Sequence, residues 1–264
     1  MNAYVTLLMG NNYLPGVIAL SRSLKRVDSK HPLIVMYRDE STDLDVLAKE
    51  DLILKKVAAL PFSEPFIKNH TREAQHTKNP FTKGNKPTFH NPLDNFYKLS
   101  LWQFTEFKKI VFLDADIIVL RNIDRLFEYP EGCAAPNLYE SLDDFNRMNS
   151  GVFVAEPNDE TFIKMFHALD YPGAYWPRTD QTFLQSYWKN WHGLPYIYNA
   201  LQYLYFNIPA LWRWDNIHVI HYQYEKPWEQ NNPKKEQLLE LIDLWQCMYQ
   251  NTPLPQSIIE KMGN

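Results

Sequence analysis

The chain has 264 residues, which is long for one average domain but within the range of a single α/β unit. Hydrophobic residues make up 45% and charged residues 22%, the balance of a soluble globular protein that can bury a core without disulfides or structural metal. The formal net charge of −4 argues against a general binder of nucleic acid or of an anionic membrane surface.

The first part of the chain alternates between apolar runs and helical patterns. In chain order these are AYVTLLM (strand), the stretch from Pro15 to Leu24 (helix), PLIVMYR (strand), STDLDVLAKEDLI (helix) and ILKKVAAL (strand). The apolar strands are continuous rather than alternating, which is typical of a sheet that helices cover on both faces. The order βαβαβ therefore predicts the opening of an α/β fold, a doubly wound and largely parallel sheet.

The middle of the chain interrupts this pattern and then resumes it. Residues 61–92 are rich in polar residues, prolines and histidines, and we interpret them as an irregular excursion because both flanks have the pattern of one domain. The later predicted elements are NPLDNFYKLSLWQFTEF (helix), KIVFL (strand), MNSGVFVAEP (strand), NDETFIKMFHAL (helix), DQTFLQSYWKNW (helix) and IHVIHY (strand).

The alternation predicts one domain over residues 1–228, followed by a helical tail over residues 229–264. Within the tail, residues 234–249 carry apolar side chains at helical spacing. We expect the tail to pack on the domain or on a partner, and the second arrangement is compatible with a homodimer.

The cysteines and the apolar runs indicate the cellular compartment in which the protein is expected. Cys133 and Cys247 lie far apart without metal-ligand spacing, which excludes a disulfide framework and favours a reducing compartment. No apolar run reaches the roughly 18 residues needed to cross a bilayer. The start of the chain lacks the basic region and cleavage site of a signal peptide. We expect a cytoplasmic protein with no membrane span and no nucleic-acid partner.

Two aspartates interrupt the apolar run KIVFLDADIIV. Alternate side chains of an extended segment point the same way, so Asp114 and Asp116 can converge on one cation, with Ala115 too small to obstruct. A hard divalent ion takes carboxylate oxygens and leaves positions open for a phosphate. The alternative is one helix cap and one solvated aspartate, which the cost of desolvating a carboxylate in an apolar run disfavours.

A histidine and a lysine near the end of the domain complete the pattern. His221 ends the strand IHVIHY, and carboxyl ends of parallel strands share one edge, so His221 can meet Asp114 and Asp116 there. Lys226 follows five residues later and can place its charge on a phosphate. Singly, each residue is more often structural. Together the four predict a diphosphate held by a metal.

The ordered set of motifs resembles the retaining nucleotide-sugar glycosyltransferases of the glycogenin and galactinol synthase group, glycosyltransferase family 8. The matching segments are AYVTLLMGNNYLPGVIALSRSLK, YKLSLWQFTEFKKIVFLDADIIVLRNIDRLFEYP, NSGVFV, TDQTFL, LPYIYN and HVIHYQYEKPW. They cover nearly the whole chain apart from residues 61–92 and the tail after Trp228. The resemblance implies a single GT-A (Rossmann-like) domain with a mixed, mainly parallel central sheet flanked by helices. It also implies transfer of a hexose from a UDP-sugar to a hydroxyl acceptor with retention of configuration, and glucose is the leading candidate for that hexose.

The resemblance further implies roles for individual residues. Asp114, Asp116 and His221 would bind a manganese ion on the UDP diphosphate, while Lys226 would contact the diphosphate and help the leaving group depart. Asp180 and Gln181 would act with Lys226 as catalytic residues, on the sugar side. The donor-binding positions would be Leu7, Tyr13 (stacked on the base), Lys98, Asp114, Ala115, Asp116, Asn149, Ser150, Asn199, His221 and Lys226.

The chain also departs from the family pattern. Members often carry an arginine before the helix of Lys98, where this chain reads PTFHNPLDN. Arg178 stands in the stretch before Asp180 where glycines are common, and the glycine common between the histidine and the KPW motif is absent. These departures bear on sugar specificity and on the phosphate loop rather than on the fold.

The acceptor stays open at this level. The segment NALQYLYFNIPAL lies where glycogenins carry their own acceptor tyrosine, and the spacing to Pro209 matches Tyr205. The segment IPALWRWDNIHVIHY is equally similar to galactinol synthases, which glycosylate a small polyol. A non-catalytic UDP-sugar-binding protein is a further alternative. A phosphotransferase of the haloacid dehalogenase type would need the Asp-x-Asp motif in the first strand, with Thr or Val where this chain has Ile118.

Overall fold

The computed structural model describes residues 1–38, 42–77, 86–171 and 179–263. Its strands are β1 (Asn2–Leu8), β2 (Leu33–Tyr37), β3 (Ile53–Lys56), β4 (Lys109–Leu113), β5 (Ile117–Val119), β6 (Cys133–Pro136), β7 (Met148–Ala155), β8 (His192–Gly193), β9 (Ala200–Leu201) and β10 (Val219–His221). Its α-helices are α1 (Leu14–Arg26), α2 (Glu64–Asn69), α3 (Asp159–Ala168), α4 (Asp180–Tyr187), α5 (Leu204–Asn207), α6 (Leu239–Gln250) and α7 (Gln256–Met262). The longest of the connecting 3₁₀ segments is Pro92–Gln103.

Seven strands form the main sheet, in the order β3-β2-β1-β4-β7-β6-β8. β1 runs parallel to both β2 and β4, and β2 runs parallel to β3, whereas β7 is antiparallel to its neighbours β4 and β6. The sheet is therefore mixed and mainly parallel, which confirms the predicted α/β class. The chain leaves β1 toward β2 and returns on its other side at β4, so a crevice opens at the carboxyl ends of β1 and β4, where α/β proteins bind ligands.

A second, three-stranded sheet has the order β5-β10-β9. β10 is antiparallel to β5, with His221 opposite Ile117, and parallel to β9. His221 thus reaches the aspartates through this small sheet. The expectation that it would do so along the carboxyl edge of the main parallel sheet was wrong, because β10 does not belong to that sheet.

Helix α1 joins the main sheet to the site. Pro15 lies in its first turn, where its missing N–H is not needed, and the buried side chains of Val17, Leu20 and Leu24 pack against β1 and β2. Each such side chain contributes about 1.5–3 kcal/mol by leaving water. Gly16 faces the aspartate loop, residues 114–116, so closely that a Cβ there would lie 2.2 Å from the backbone oxygen of Ala115.

The tail packs against the domain through α6. Trp245 is 1% exposed and stacks on Tyr249, with ring centroids 5.1 Å apart, and lies 5.3 Å from the ring of Trp228. From α1, Arg22 donates to the carbonyl of Tyr249 and Arg26 donates to that of Thr252 at 2.6 Å. The same helix therefore contacts the main sheet, the aspartate loop and the tail.

Three local predictions differ from the structure. The helix predicted in STDLDVLAKEDLI is only a 3₁₀ turn, Leu44–Leu47, because Leu47 alone gives it a buried anchor. Within the predicted excursion, α2 is ordered, since Ser63 accepts a hydrogen bond from the N–H of Phe66 and the ring of Phe66 is fully buried. The helix predicted before KIVFL is the 3₁₀ segment noted above.

Part of the excursion, residues 78–85, and Arg178 lie outside the described residues. Within the ranges described, none of the helices has both the length and the apolar character that crossing a membrane requires.

Candidate donor and metal site

A cleft of about 310 Å³ opens at the carboxyl ends of β1 and β4. The predicted site residues that line it are Leu7, Tyr13, Lys98, Asp114, Ala115, Asp116, Asn149, Ser150, Asp180, Gln181, His221 and Lys226. The fold thus brings together segments from β1, the 3₁₀ segment, the aspartate loop, β7, α4 and β10.

Asp114, Asp116 and His221 form a group whose ligand atoms all lie within 4.8 Å of one another. Nε2 of His221 lies 3.2 Å from Oδ1 of Asp116 and 3.8 Å from Oδ2 of Asp114. Two carboxylate oxygens and one imidazole nitrogen are a donor set that suits manganese or a similar divalent cation. Three protein ligands leave positions open for a second ligand on a cation that takes about six.

Each aspartate also has a lysine partner. The ammonium group of Lys226 contacts Oδ2 of Asp116 and donates to the carbonyl of Tyr222 at 2.9 Å. Lys98 lies 2.8 Å from Oδ1 of Asp114. Both lysines are buried, at 3% exposure each, so these charges interact with little screening by water.

The two aspartates differ in electrostatics. Burial disfavours the ionised form of Asp116, but the charge of Lys226 opposes this effect, and the pKa of Asp116 lies well below its usual range. For Asp114, burial and the nearby charge of Asp116 raise the pKa against the opposing effect of Lys98. Asp116 is therefore the firmly ionised member of the pair.

Lys98 connects the aspartate loop with helix α4. It lies 3.0 Å from Oδ2 of Asp180, which also accepts a hydrogen bond from the hydroxyl of Ser150 at 2.8 Å. The backbone N–H of Ser150 donates to Oε1 of Gln181 at 3.3 Å. Burial alone would lower the pKa of Lys98, yet Asp114 and Asp180 hold it above its ordinary value. Asp180 and Gln181 therefore lie in the cleft with their orientations fixed by β7.

Asn199 does not line the cleft, although its sequence position suggested that it would. Its amide lies behind His221, with Oδ1 2.9 Å from Nδ1 of the imidazole, and its Nδ2 donates to Oδ1 of Asn149 at 2.8 Å. Asn149 does reach the cleft and also donates to Asn137 at 2.8 Å. The sequence could not indicate which side of His221 the amide of Asn199 would occupy.

Tyr13 lines the cleft and has aromatic neighbours. The ring of Tyr13 meets Phe89 and Trp228 edge to face, with centroids 5.2 Å and 6.3 Å apart. Leu7, near the end of β1, also lines the cleft. A flat base can be accommodated between an aromatic ring and aliphatic side chains of this kind.

Several residues of the lining were missed by sequence reasoning. Among them are Lys86, Asn137, Tyr139, Arg147, Gln223 and Tyr224. Burial and the nearby charge of Lys226 lower the pKa of Lys86 to about 8. The available signal for Lys86 was the basic stretch KNPFTKGNK, which lies close to where related proteins carry an arginine. Arg147 and Asn137 stand in segments with no periodicity, so nothing in the sequence marked them.

Tyr205, the predicted self-acceptor, lies outside the cleft lining. Its hydroxyl donates to Glu240 of α6 at 2.7 Å, and its ring meets Trp212 edge to face at 5.2 Å. Burial and the hydrogen bond to Glu240 raise the pKa of Tyr205 to about 12. The phenol is therefore protonated and engaged with the tail in this arrangement.

Comparison with known proteins identifies similar chains. The family model described as glycosyl transferase family 8 matches residues 4–232. UDP-glucuronate:xylan alpha-glucuronosyltransferase 2 of Arabidopsis thaliana is 30% identical over 242 residues, covering 86% of this chain and 35% of that protein. Galactinol synthase 1 of Solanum lycopersicum is 26% identical, covering 96% of this chain and 83% of its own. Glycogenin-2 of Homo sapiens is 31% identical, covering 96% of this chain and 51% of its own.

The relatives differ in how much of their length this chain matches, and solved structures show the shared fold. The chain spans about a third of the length of the xylan glucuronosyltransferases that it matches. Among solved structures, the galactosyltransferase LgtC in complex with donor and acceptor sugar analogues has a TM-score of 0.63 at 15% identity, with 99% of this chain and 100% of that chain covered. That likeness confirms the GT-A architecture.

Proposed function

Because this chain belongs to glycosyltransferase family 8, we propose that it transfers a hexose, glucose first, from a UDP-sugar to a hydroxyl acceptor with retention of anomeric configuration. One observation carries the proposal: Asp114, Asp116 and His221 converge in a cleft where Lys226 and Lys98 lie within contact of the same aspartates. A cluster of this kind suits a diphosphate bridged by a divalent cation, with manganese the leading candidate.

The leaving group of the proposed reaction is UDP, whose β-phosphate gains negative charge as the bond to the sugar breaks. Lys226 is placed to follow that charge, since its ammonium can move from Asp116 to a phosphate oxygen. A contact that strengthens as charge develops lowers the barrier more than it tightens ground-state binding. A divalent cation held by Asp114, Asp116 and His221 would add Lewis-acid stabilisation of the departing diphosphate.

Retention requires either a covalent intermediate or attack by the acceptor on the face that the leaving group departs from. Asp180 is the candidate nucleophile, but its Oδ2 is already engaged by Lys98 at 3.0 Å and by Ser150 at 2.8 Å. An oxygen stabilised by a cation and a hydroxyl donor is a weaker nucleophile. We therefore assign Asp180 and Gln181 to holding the sugar as its anomeric carbon becomes oxocarbenium-like, and favour attack on the leaving-group face.

The acceptor that fits best is a separate molecule. Tyr205 lies outside the cleft lining and is hydrogen-bonded to Glu240, so self-transfer would require this contact to break. Galactinol synthases are among the relatives, and the resemblance to enzymes that glycosylate a small polyol supports a small hydroxylated acceptor for this chain. Self-glycosylation of the glycogenin kind is the alternative.

One observation favours a second candidate for the sugar donor. Arg147 lines the cleft with its side chain 55% exposed, and its Nη1 lies 3.5 Å from Oδ1 of Asp144. An arginine there can pair with the carboxylate of a glucuronosyl group. The relatives named as UDP-glucuronate:xylan glucuronosyltransferases support UDP-glucuronate as the second candidate.

The test is a donor screen that measures UDP release with manganese for UDP-glucose, UDP-glucuronate, UDP-galactose and UDP-N-acetylglucosamine. The matched control is Asp116→Asn, which keeps the size of the side chain and removes the charge. We expect turnover with UDP-glucose that Asp116→Asn abolishes while the circular dichroism spectrum is unchanged. Full activity in that variant would refute the metal site. Release from no donor, either alone or with a panel of sugar and polyol acceptors, would refute the transferase.

A further inference from the structure

His221 has contacts on the side of its ring that faces away from the aspartates. Its Nδ1 lies 2.9 Å from Oδ1 of Asn199, and Nδ2 of Asn199 lies 2.8 Å from Oδ1 of Asn149. All three residues are buried, with no more than 3% of any of them exposed. In a neutral histidine one ring nitrogen is a donor and the other an acceptor, so whatever fixes Nδ1 also decides what Nε2 can do.

The direction of this hydrogen-bonded chain is set by one backbone group. The N–H of Gly151 lies 2.8 Å from Oδ1 of Asn149, and a backbone N–H can only donate. The atom of Asn149 that faces Gly151 is therefore the amide oxygen. That oxygen needs a second donor rather than a second acceptor, so Asn199 presents its NH₂ group to it.

The remaining atom of the Asn199 amide is its oxygen, which faces the imidazole and accepts. The proton of neutral His221 therefore lies on Nδ1. Reversing the amide of Asn199 or Asn149 would set donor against donor, or acceptor against acceptor, among buried groups. Each buried polar group left unsatisfied costs about 1–3 kcal/mol.

We infer that Asn199, held by Asn149, is a positioning residue that keeps His221 in the tautomer with an unprotonated Nε2 facing Asp114 and Asp116. In that tautomer the acceptor Nε2 lies 3.2 Å from Oδ1 of Asp116 and 3.8 Å from Oδ2 of Asp114. Acceptors this close together repel one another, and a cation bound by all three would remove that repulsion. The tautomer follows from the hydrogen bonds alone, whereas its consequence for metal affinity rests on the proposed function.

Gly151 supports the same arrangement sterically. A Cβ at this position would lie 2.4 Å from Cε1 and 2.6 Å from Nδ1 of His221. Only a glycine leaves room for the ring between β7 and Asn199. The segment Asn149–Gly151 therefore contributes both the backbone donor that orients the amides and the space that the imidazole occupies.

Outer hydrogen-bond partners of metal-bound histidines typically change metal affinity by about 10–100-fold. The experiment compares wild type with Asn199→Ala, which removes the acceptor for Nδ1–H. The matched control is Ser23→Ala, which also removes buried hydrogen bonds, to Leu20 and Val119, without touching the histidine. Control and test variant should both lose stability, so stability alone does not decide.

Two measurements separate the possibilities. Two-bond ¹H–¹⁵N spectra of ¹⁵N-histidine protein without metal, well above the ordinary histidine pKa of about 6.5, report which ring nitrogen carries the proton. The signal of His221 among the eight histidines is assigned by its loss in His221→Asn. Calorimetric titration with manganese gives the affinity.

We expect Nδ1–H in wild type and in Ser23→Ala, a shift toward Nε2–H in Asn199→Ala, and manganese affinity lowered about 10–100-fold in Asn199→Ala alone. Protonation of Nε2 in wild type, or an unchanged tautomer and affinity in Asn199→Ala, would overturn the inference. Wild-type protein with Nδ1–H that does not bind manganese would refute the proposed metal site and leave the tautomer assignment standing.

Discussion

The substitution Lys226→Met tests the electrostatics of the site most directly. It removes the ammonium that contacts Asp116 and keeps a side chain of similar volume. The two side chains are 3% and 10% exposed, so the pair is shielded from water. Removing one partner of a buried ion pair leaves an uncompensated charge, which costs about 3–5 kcal/mol. We expect the free energy of unfolding without added metal to fall by that amount.

Added manganese should have the opposite effect on this variant. In the wild type, a cation beside Asp116 must share the carboxylate with the ammonium of Lys226, whereas in Lys226→Met it replaces the lost charge. We therefore expect manganese alone to bind the variant at least about tenfold more tightly, which corresponds to about 1.4 kcal/mol. Turnover of UDP-sugar should nevertheless be lost, because no cationic side chain follows the leaving diphosphate.

Urea unfolding with manganese and with a chelator measures both effects. The control is Lys164→Met, which breaks the exposed pair of Lys164 with Glu160. That variant should unfold like the wild type under both conditions, since exposed ion pairs contribute little to stability. The reasoning fails if manganese stabilises Lys226→Met no more than it stabilises the wild type.

Three further predictions concern Lys86, Asp180 and Tyr205. The pKa of Lys86 is lowered to about 8, so Lys86 loses its charge as the pH rises through that value, and the affinity for UDP should fall between pH 7 and 9. In Lys86→Arg this fall should vanish, and a fall that persists there would belong to another group. If Asp180 orients the sugar rather than attacking it, Asp180→Ala with azide should form no glycosyl azide, whereas an azide adduct of inverted configuration would identify a nucleophile. With UDP-glucose and manganese, the intact mass of the protein should stay constant, and a ladder of hexose additions lost in Tyr205→Phe would instead make the protein its own acceptor.

The sequence predicted the parts of the site whose residue types are unusual for their surroundings. Asp114 and Asp116 stand out because carboxylates are rare in an apolar run of sequence, although the structure places them in a turn between β4 and β5 rather than in an extended segment. His221 and Lys226 indicated a site only in combination with them. The position of Asn199 could not be predicted, since the strands that place it, β9 and β10, have two and three residues and show no periodicity. Lys86 and Arg147 reach the cleft through contacts distant in sequence, which local patterns do not encode.

The same limit applies to the fold. The parallel strands β1, β2 and β4 are long apolar runs and were predicted from sequence. The three-stranded sheet was not, although its pairing of β5 with β10 brings His221 to the aspartates. Local propensity identifies elements that are stable through their own burial, whereas short strands form because the surrounding tertiary structure aligns them.

The packing of the tail holds the turn that carries Lys226 through residues outside the cleft lining. Glu229 accepts a hydrogen bond from the backbone N–H of Lys226 at 2.7 Å, and Asn232 donates to its carbonyl at 3.2 Å. Behind this turn, Trp228 rests against Trp245 of α6. Residues of the tail therefore fix the backbone of Lys226 on the side away from the cleft. Substitutions in the tail can therefore shift Lys226 without changing any residue that lines the cleft. A fragment that ends at residue 228 would lack Glu229 and Asn232 and would lose both hydrogen bonds.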